Sequence, residues 1–217
     1  MIIFTCHSSD NLSRFSKLIT SAALNLRNET VKRFLLALFI FIIPCLSVHA
    51  QKDSLLEAGS PAPNFFLKAM DGTEFYSRDF YGETRTMPKA RKERNHVVVS
   101  FFATWCVPCR KEIPELEVLS EKYPDIKFYL VNVAESKEKV TDHLTKTPIR
   151  LPILMDLYGK VSEKFNVKDG GNALAVLPTL VIINKNGSIH FYKKGYVEGD
   201  EKKIEGKLLE LTDGTHQ

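Results

Sequence analysis

Cysteine is scarce in this sequence, with four among 217 residues, and this scarcity excludes a small domain held together by a framework of disulfides. The net charge is also small. The 30 basic and 26 acidic residues leave +4, which is too weak and too mixed to indicate a nucleic-acid partner. With 44% hydrophobic and 26% charged residues, the composition is that of an ordinary globular protein, and it excludes wholesale disorder or a collagen-like repeat.

Long hydrophobic runs are missing too. The apolar run at residues 34–46 has 13 residues, fewer than the roughly 18 to 20 that a membrane-spanning helix needs. It follows the basic residues Lys32 and Arg33 and precedes Val48-His49-Ala50, a small-residue cleavage pattern. These features predict a secretory signal peptide at residues 31–50. An uncleaved membrane anchor is the alternative, and this segment would then be the protein's membrane contact.

The predicted signal peptide divides the chain into three parts. Residues 1–30 form an N-terminal extension, and we hypothesise that the protein starts at Val31 and that this extension is not made. Residues 51–217 form the mature protein, which we expect to be a single domain in the periplasm or cell envelope. Two of the four cysteines precede residue 51, so the mature protein keeps Cys106 and Cys109.

Hydrophobic patterning in the mature part alternates between strands and helices. Residues 96–102 and 126–133 are apolar runs rich in β-branched residues, which is typical of strands buried on both faces of a sheet. Asp71-Gly72 and Asn186-Gly187 predict hairpin turns, and the basic stretch 82–95 predicts a solvated surface loop. The predicted strands are 64–68, 73–76, 96–102, 126–133, 151–155, 180–183 and 189–196, and the predicted helices are 106–122, 136–147, 158–165 and 201–211. This order predicts an α/β fold with a mixed sheet.

The motif with chemical meaning is Trp105-Cys106-Val107-Pro108-Cys109, at a predicted strand-to-helix junction. C-x-x-C in this setting is typical of a redox pair. A cysteine at a helix N-terminus is stabilised as the thiolate, and a second cysteine one turn later can resolve a mixed disulfide. Two other interpretations remain open. One is half of a zinc site, although zinc takes four ligands and the mature part has no second pair of cysteines. The other is a purely structural disulfide.

The segment FFATWCVPCRKEIP resembles the active-site segment of thioredoxin-fold proteins, in particular the extracytoplasmic TlpA/ResA-like branch of thiol-disulfide oxidoreductases. PAPNFFLKAMDGTEF resembles the lead-in hairpin of that branch, and MDLYGKVSEKFNV with LPTLVIINKNGSI resembles its second half. The resemblance covers roughly residues 59–211. It implies a thioredoxin-like fold, with a central mixed sheet flanked by helices and an N-terminal β-hairpin extension.

The resemblance also implies roles for five residues. Cys106 is expected to be the exposed nucleophile and Cys109 the buried resolving thiol. Pro178, in a Leu-Pro-Thr segment about 70 residues later, is expected to be a cis-proline that faces the disulfide and pairs with bound substrate. Trp105 is expected to pack beside the cysteines. Glu112 matches an acidic residue that helps to move the proton from the buried thiol, with a solvated helix-face glutamate as the alternative.

Two departures from the family bear on the site. Ser100 stands where thioredoxin itself has a buried aspartate, so the handling of the proton cannot be copied from thioredoxin. The segment 168–178, which leads to Pro178, is longer than usual, and we expect it to influence the choice of substrate.

The predicted function is reduction of disulfides in envelope proteins through Cys106 and Cys109, as in cytochrome c maturation. Val107-Pro108 resembles the Gly-Pro dipeptide of reducing thioredoxins. The implied partners are oxidised protein substrates and a membrane thiol electron donor of the DsbD type, and no cofactor is implied. Two alternatives remain. A peroxiredoxin-like peroxidase needs a P-x-x-x-T-x-x-C frame, which Thr104 does not match. A copper-binding module would use thiolates for Cu(I), but that family has C-x-x-x-C.

Overall fold

A computed structural model describes residues 56–82, 94–168 and 175–213. The predicted N-terminal extension and signal peptide lie outside the described residues, as do nearly all of the predicted loop 82–95 and much of the segment 168–178. Within the described ranges, no helix is long and apolar enough to cross a membrane.

The described part of the chain contains seven strands and four α-helices in an alternating order. The strands are β1 (Phe66–Ala69), β2 (Glu74–Tyr76), β3 (Val97–Phe102), β4 (Lys127–Val133), β5 (Ile153–Asp156), β6 (Thr179–Ile183) and β7 (Ile189–Lys194). The helices are α1 (Cys109–Lys122), α2 (Lys137–Lys146), α3 (Lys160–Lys164) and α4 (Asp200–Asp213). Compared with the prediction, α1 begins three residues later, at Cys109 rather than Cys106, and no other boundary moves by more than two residues.

The strands form one sheet in the order β2-β1-β5-β4-β3-β6-β7. β3, β4 and β5 run parallel, and β6 runs antiparallel to β3. β7 runs antiparallel to β6, and the β1–β2 hairpin joins the other side of the sheet through β5. The sheet is therefore mixed, as predicted. This topology brings the carboxyl ends of β3, β4, β5 and β7 and the amino end of β6 to the same edge, which we call the active edge.

β3 separates two apolar layers. Its six side chains are all buried and alternate between the two faces of the sheet. Val98 and Phe102 belong to a cluster with side chains of α1 and α4, whereas Val99 and Phe101 belong to a cluster with the N-terminal hairpin and α3. Burying one valine or phenylalanine contributes about 1.5–3 kcal/mol. The strand is therefore a rigid support for the loop that follows it.

The two predicted hairpin turns are confirmed, and each contains a glycine with a positive backbone angle φ. Gly72 (φ 89°) lies between β1 and β2, and Gly187 (φ 90°) lies between β6 and β7. A Cβ atom at Gly187 would also lie 2.8 Å from the Cα atom of Gly82, so this turn packs closely against the chain after the first hairpin. Asn186 Oδ1 accepts the N–H of Ser188 at 2.9 Å and stabilises the second turn.

Candidate active site

The two cysteines of the mature part lie just beyond the carboxyl end of β3, where the chain enters α1. Cys106 and Cys109 are joined by a disulfide, and their Cα atoms are 5.4 Å apart. Both residues are buried, with 3% and 1% of their surface exposed. The expectation that Cys106 is exposed is therefore wrong for this oxidised form, because the disulfide draws its sulfur towards the buried Cys109.

The start of α1 contacts the sulfur of Cys106. The helix begins only at Cys109, since Val107 and Pro108 form a turn ahead of it. The N–H of Cys109 donates to Cys106 Sγ across 3.2 Å. Unpaired N–H groups and the helix dipole favour negative charge at this end of a helix. Cys106 thus precedes the helix by three residues, yet it lies where a thiolate is stabilised.

A buried carboxylate fixes the loop before the cysteines. Glu135, just after β4, accepts hydrogen bonds from the N–H and the hydroxyl of Thr104, both at 2.7 Å. Asn132 Nδ2 donates to the same carboxylate at 2.8 Å, and Lys139 Nζ lies 2.7 Å from it. Burial alone raises the pKa of Glu135, but Lys139 and these hydrogen bonds outweigh burial and lower the pKa. Glu135 is therefore an anion at neutral pH, and it holds Thr104 two residues before Cys106.

The turn that aims Glu135 at this loop contains an unusual backbone conformation. Ala134 has φ 54°, in the left-handed region that residues with a Cβ atom rarely adopt, at a cost of about 1–3 kcal/mol. Its N–H donates to the carbonyl of Asp156 at 3.0 Å, which ties the end of β4 to the end of β5. The turn, tied to β5 by this hydrogen bond, and the fully bonded carboxylate together fix the position of the active-site loop.

Glu112 lies on α1 three residues after Cys109, so the two side chains share one face of the helix. It is fully buried, and the alternative of a solvated glutamate is wrong. The hydroxyl of Ser100 donates to Glu112 Oε2 at 2.7 Å. Burial raises the pKa of Glu112, and the nearby Lys193 and Ser100 oppose this effect without cancelling it. A carboxyl group of this kind can exchange a proton nearer to neutral pH than an exposed glutamate.

A lysine supplies positive charge beside Glu112. Lys193 Nζ, on β7, lies 3.0 Å from Glu112 Oε1 and 2.7 Å from Asp200 Oδ2, and 10% of the lysine side chain is exposed. Glu112 Oε1 and Lys193 Nζ therefore form an ion pair.

The predicted cis-proline lies at the amino end of β6, on the active edge. The Leu177–Pro178 peptide bond is cis, as expected. The N–H of Gly195 donates to the carbonyl of Pro178 at 2.7 Å, which ties the start of β6 to the end of β7. The pairing of Pro178 with a bound substrate stays a prediction.

Exposed apolar side chains gather along the active edge. Trp105 and Val107 flank Cys106, and Trp105 is 55% exposed. The packing of Trp105 beside the cysteines stays a prediction. Leu157 and Tyr158 follow β5, Val197 follows β7, and all three side chains are exposed. Large apolar side chains exposed at one end of a protein are typical of a surface that binds another protein.

Comparison with known proteins identifies the family of the chain. A model of the Redoxin family matches residues 57–208. The chain belongs to the Redoxin family. The thiol-disulfide oxidoreductase ResA of Bacillus subtilis (strain 168) is 30% identical over 145 residues, which cover 66% of this chain and 70% of that protein. ResA of Bacillus thuringiensis subsp. konkukian is 25% identical over 189 residues, which cover 83% of this chain and 97% of that protein.

The fold of this Redoxin-family protein is also found in solved structures. A Chlorobium tepidum protein assigned as the thiol:disulfide interchange protein DsbE superposes with a TM-score of 0.59 at 23% identity, covering 72% of this chain and 98% of that one. The predicted thioredoxin-like fold is confirmed, including the N-terminal β-hairpin. The protein is a thiol-disulfide oxidoreductase of the ResA type.

The structure brings three of the predicted site residues together, since Cys106, Cys109 and Glu112 all lie at the start of α1. Ser100, which stands where the resemblance places a buried aspartate, donates instead to the buried carboxylate of Glu112 on α1. Sequence reasoning missed Lys193, Asp200 and Glu135. One sequence signal could have found Lys193. It lies two residues after Phe191 in a strand, and this spacing places both side chains on the same face of the sheet. In residues 56–82, 94–168 and 175–213, no group of three or more His, Cys, Asp or Glu is placed to hold a metal ion.

Proposed function

We propose that this Redoxin-family protein reduces disulfides of proteins outside the cytoplasm, with targets of the cytochrome c maturation type. The observation that carries the proposal is the Cys106–Cys109 disulfide with the Cys106 sulfur at the N-terminus of α1. That position stabilises Cys106 as a thiolate once the disulfide is reduced, and a thiolate is the form that attacks a disulfide. The similarity to the ResA proteins of Bacillus supports the same chemistry.

The reaction transfers two electrons from the cysteine pair to the substrate. The Cys106 thiolate attacks one sulfur of the substrate disulfide, forms a mixed disulfide and releases the first substrate thiolate, which takes a proton from water. Cys109 then loses its proton and attacks the sulfur of Cys106, which releases the second substrate thiolate. The substrate disulfide is now two thiols, and Cys106 and Cys109 are joined as they are in this structure.

Glu112 is the group proposed to take the proton from Cys109. It lies on the same helix face, its Oε2 is held by Ser100, and its Oε1 faces the ammonium of Lys193 at 3.0 Å. A carboxylate oxygen has two lone pairs, so Oε1 can accept a thiol proton beside this ion pair. Burial raises the pKa of Glu112, so this carboxylate is a stronger base than an exposed glutamate.

The direction of electron flow is proposed from the dipeptide between the cysteines. Val107-Pro108 resembles the Gly-Pro of reducing thioredoxins. A reductant outside the cytoplasm must be reduced again after each turnover, so the proposed electron donor is a membrane thiol protein of the DsbD type. Residues 31–50 are the proposed signal peptide that takes the chain across the membrane, and residues 51–217 are the proposed mature domain.

The substrate surface is proposed to be the active edge. Trp105 and Val107 flank the reactive sulfur, and Tyr158 and Val197 extend the exposed apolar surface from the neighbouring strands. Pro178 and its flanking backbone are proposed to contact the substrate chain next to the disulfide. These features fit an unfolded or extended protein segment better than a small polar molecule.

The function is tested by trapping a substrate on the enzyme. A disulfide-bonded peptide with the C-x-x-C-H sequence of a haem-attachment site is mixed with reduced protein. Wild type is expected to release the peptide as a dithiol. The Cys109→Ser variant is expected to accumulate a mixed disulfide on Cys106, detected by mass, because it lacks the resolving thiol. The Cys106→Ser variant is the matched control. A wild type that leaves the peptide oxidised would contradict the proposal.

A further inference from the structure

A largely buried lysine lies on the same face of the sheet as Ser100, two strands away. Ser100 on β3 pairs with Leu180 on β6, and Leu180 pairs with Lys193 on β7. Residues directly opposite each other in a ladder share one face of the sheet, so all three face the layer that contains α1 and α4. Lys193 is therefore held under these helices, with 10% of its side chain exposed. A lysine is almost never buried without partners, because its charge loses hydration.

The partners of Lys193 form a chain of three charges. Asp200, at the start of α4, lies 2.7 Å from Nζ and also accepts the N–H of Val197 at 2.7 Å. Glu112 lies 3.0 Å from the same ammonium. If both carboxylates are ionised, the group carries one excess negative charge. If Glu112 is protonated, Lys193 and Asp200 remain as a neutral pair. Glu112 can therefore gain or lose a proton without leaving an isolated buried charge.

We propose that Lys193, anchored by Asp200, is a positioning residue that sets the charge state of Glu112 and thereby the pH range in which Cys109 can be deprotonated. This inference rests on the proposed function. Lys193 acts through Glu112, because the ammonium stabilises the carboxylate form that accepts the thiol proton.

Other groups face Glu112 from each neighbouring element. Ser100 on β3 holds Oε2, and Asp200 on α4 disfavours the ionised form of Glu112 by its own negative charge. On α1 itself, Glu115 accepts a hydrogen bond from the hydroxyl of Tyr196 at 2.7 Å, and Lys193 Nζ lies 5.6 Å from the centre of the Tyr196 ring. Lys193 is the cation that opposes the two carboxylates in this described part of the site.

The roles of Lys193 and Asp200 predict opposite changes in the pH profile. Lys193→Met removes the cation and keeps an unbranched stem, so Glu112 should be protonated at higher pH. The acidic limb is the part of the pH profile in which the resolution rate rises as Glu112 loses its proton. This limb should then move up by about one pH unit or more, because an opposite charge within about 4–6 Å lowers a carboxyl pKa by about 1–3 units. Asp200→Asn removes the competing anion but keeps an amide oxygen that can accept from Lys193, so the lysine should stay in place and the same limb should move to lower pH. Lys193→Arg should restore the wild-type profile in part.

The measurement is the rate of peptide release from the mixed disulfide, followed from about pH 5 to pH 9 with the reduced full-length protein and the C-x-x-C-H peptide. Lys194→Met is the matched control, since Lys194 is the next residue on β7 and its side chain lies on the opposite face. Its acidic limb should not move. In a Glu112→Gln background, Lys193→Met should have no further effect on the profile.

Two outcomes would overturn the inference. One is an acidic limb that does not move in Lys193→Met, or that moves equally in the Glu112→Gln background. The other is an Asp200→Asn variant that moves the limb upward, which decides the matter even if Lys193→Met does not fold. A wild type without reductase activity at any pH would instead remove the proposed function itself, so the two failures are distinguishable.

Discussion

Two buried glutamates belong to the elements around the disulfide, Glu135 bonded to Thr104 and Glu112 on α1, and their surroundings differ. Glu135 has donors on both oxygens, from Thr104, Asn132 and Lys139, and its pKa is lowered. Glu112 has one hydrogen bond, from Ser100, and one ion pair with a lysine that it shares with Asp200, and its pKa is raised. The same residue type is held as an anion in one place, and in the other it has a raised pKa and is the proposed proton acceptor.

The comparison shows that the role of a buried carboxylate follows from its donors. A carboxylate that accepts several hydrogen bonds is stabilised as the anion, and it serves to hold backbone in place. A carboxylate whose only cation is shared with a second acid is less stabilised as the anion, and it can work as a base. We therefore expect changes at Glu112 to alter the rate of the reaction and changes at Glu135 to alter the stability of the protein.

The largest expected effect is on turnover in Glu112→Gln. The amide keeps the shape of the side chain but cannot take a proton, so resolution by Cys109 should slow by about 100-fold. The free energy of unfolding should change little, because Lys193 keeps Asp200 as its partner. Turnover of the C-x-x-C-H peptide and urea unfolding measure the two effects. Glu121→Gln, an exposed position on the same helix, is the control. Normal turnover in Glu112→Gln would contradict the proposal that Glu112 acts in the reaction and Glu135 in stability.

The opposite pattern is expected for Glu135→Gln. An amide cannot accept the hydrogen bonds of Thr104 and Asn132 as fully as a carboxylate and loses the ion pair with Lys139. Each buried group left unsatisfied costs about 1–3 kcal/mol, so the free energy of unfolding should fall by about that amount. The acidic limb of the rate profile should stay in place. Urea unfolding measures the loss, with Glu112→Gln as the matched variant. An unchanged stability would show that the Thr104 loop does not depend on Glu135.

The smallest expected effect is an opposite dependence of stability on pH at the two sites. The pKa of Glu135 is lowered on folding, so its contribution is present above the unfolded pKa of about 4.3 and is lost as the pH falls through its folded pKa. The pKa of Glu112 is raised, so its contribution is present below about pH 4.3 and is lost as the pH rises through its folded pKa. Urea unfolding is measured for wild type, Glu112→Gln and Glu135→Gln across this pH range. The free energy of unfolding of wild type minus that of the variant should rise with pH for Glu135→Gln and fall with pH for Glu112→Gln. Equal slopes would contradict the comparison.

The sequence alone was sufficient for the features that depend on local pattern. The apolar run of β3 predicts a central strand, and the C-x-x-C motif after it predicts the redox pair. The resemblance to a known family supplied Pro178 and its cis bond. The start of α1 was misplaced because residues 106–108 have no local signal that separates a turn from a first helical turn.

The remaining parts of the site depend on contacts between residues far apart in sequence. Lys193 reaches Glu112 only because β7 pairs with β6 and β6 with β3. Glu135 reaches Thr104 because the parallel pairing of β3 and β4 brings their carboxyl ends together. Glu112 follows Cys109 at helical spacing, which predicts a shared face but not its burial. No local sequence pattern indicates these pairings, so the network of charges could be recognised only in the structure.

The central claim, that Cys106 and Cys109 form a reducing pair, is tested most directly by their midpoint potential. The protein is equilibrated in dithiol and disulfide buffers, and the fluorescence of Trp105, the single tryptophan of the chain, reports the redox state. A reducing pair should show one reversible two-electron step near the value for thioredoxin, about −270 mV. A step near the value for DsbA, about −120 mV, would make the protein an oxidant and contradict the proposed direction. The absence of a reversible step would contradict the redox function itself.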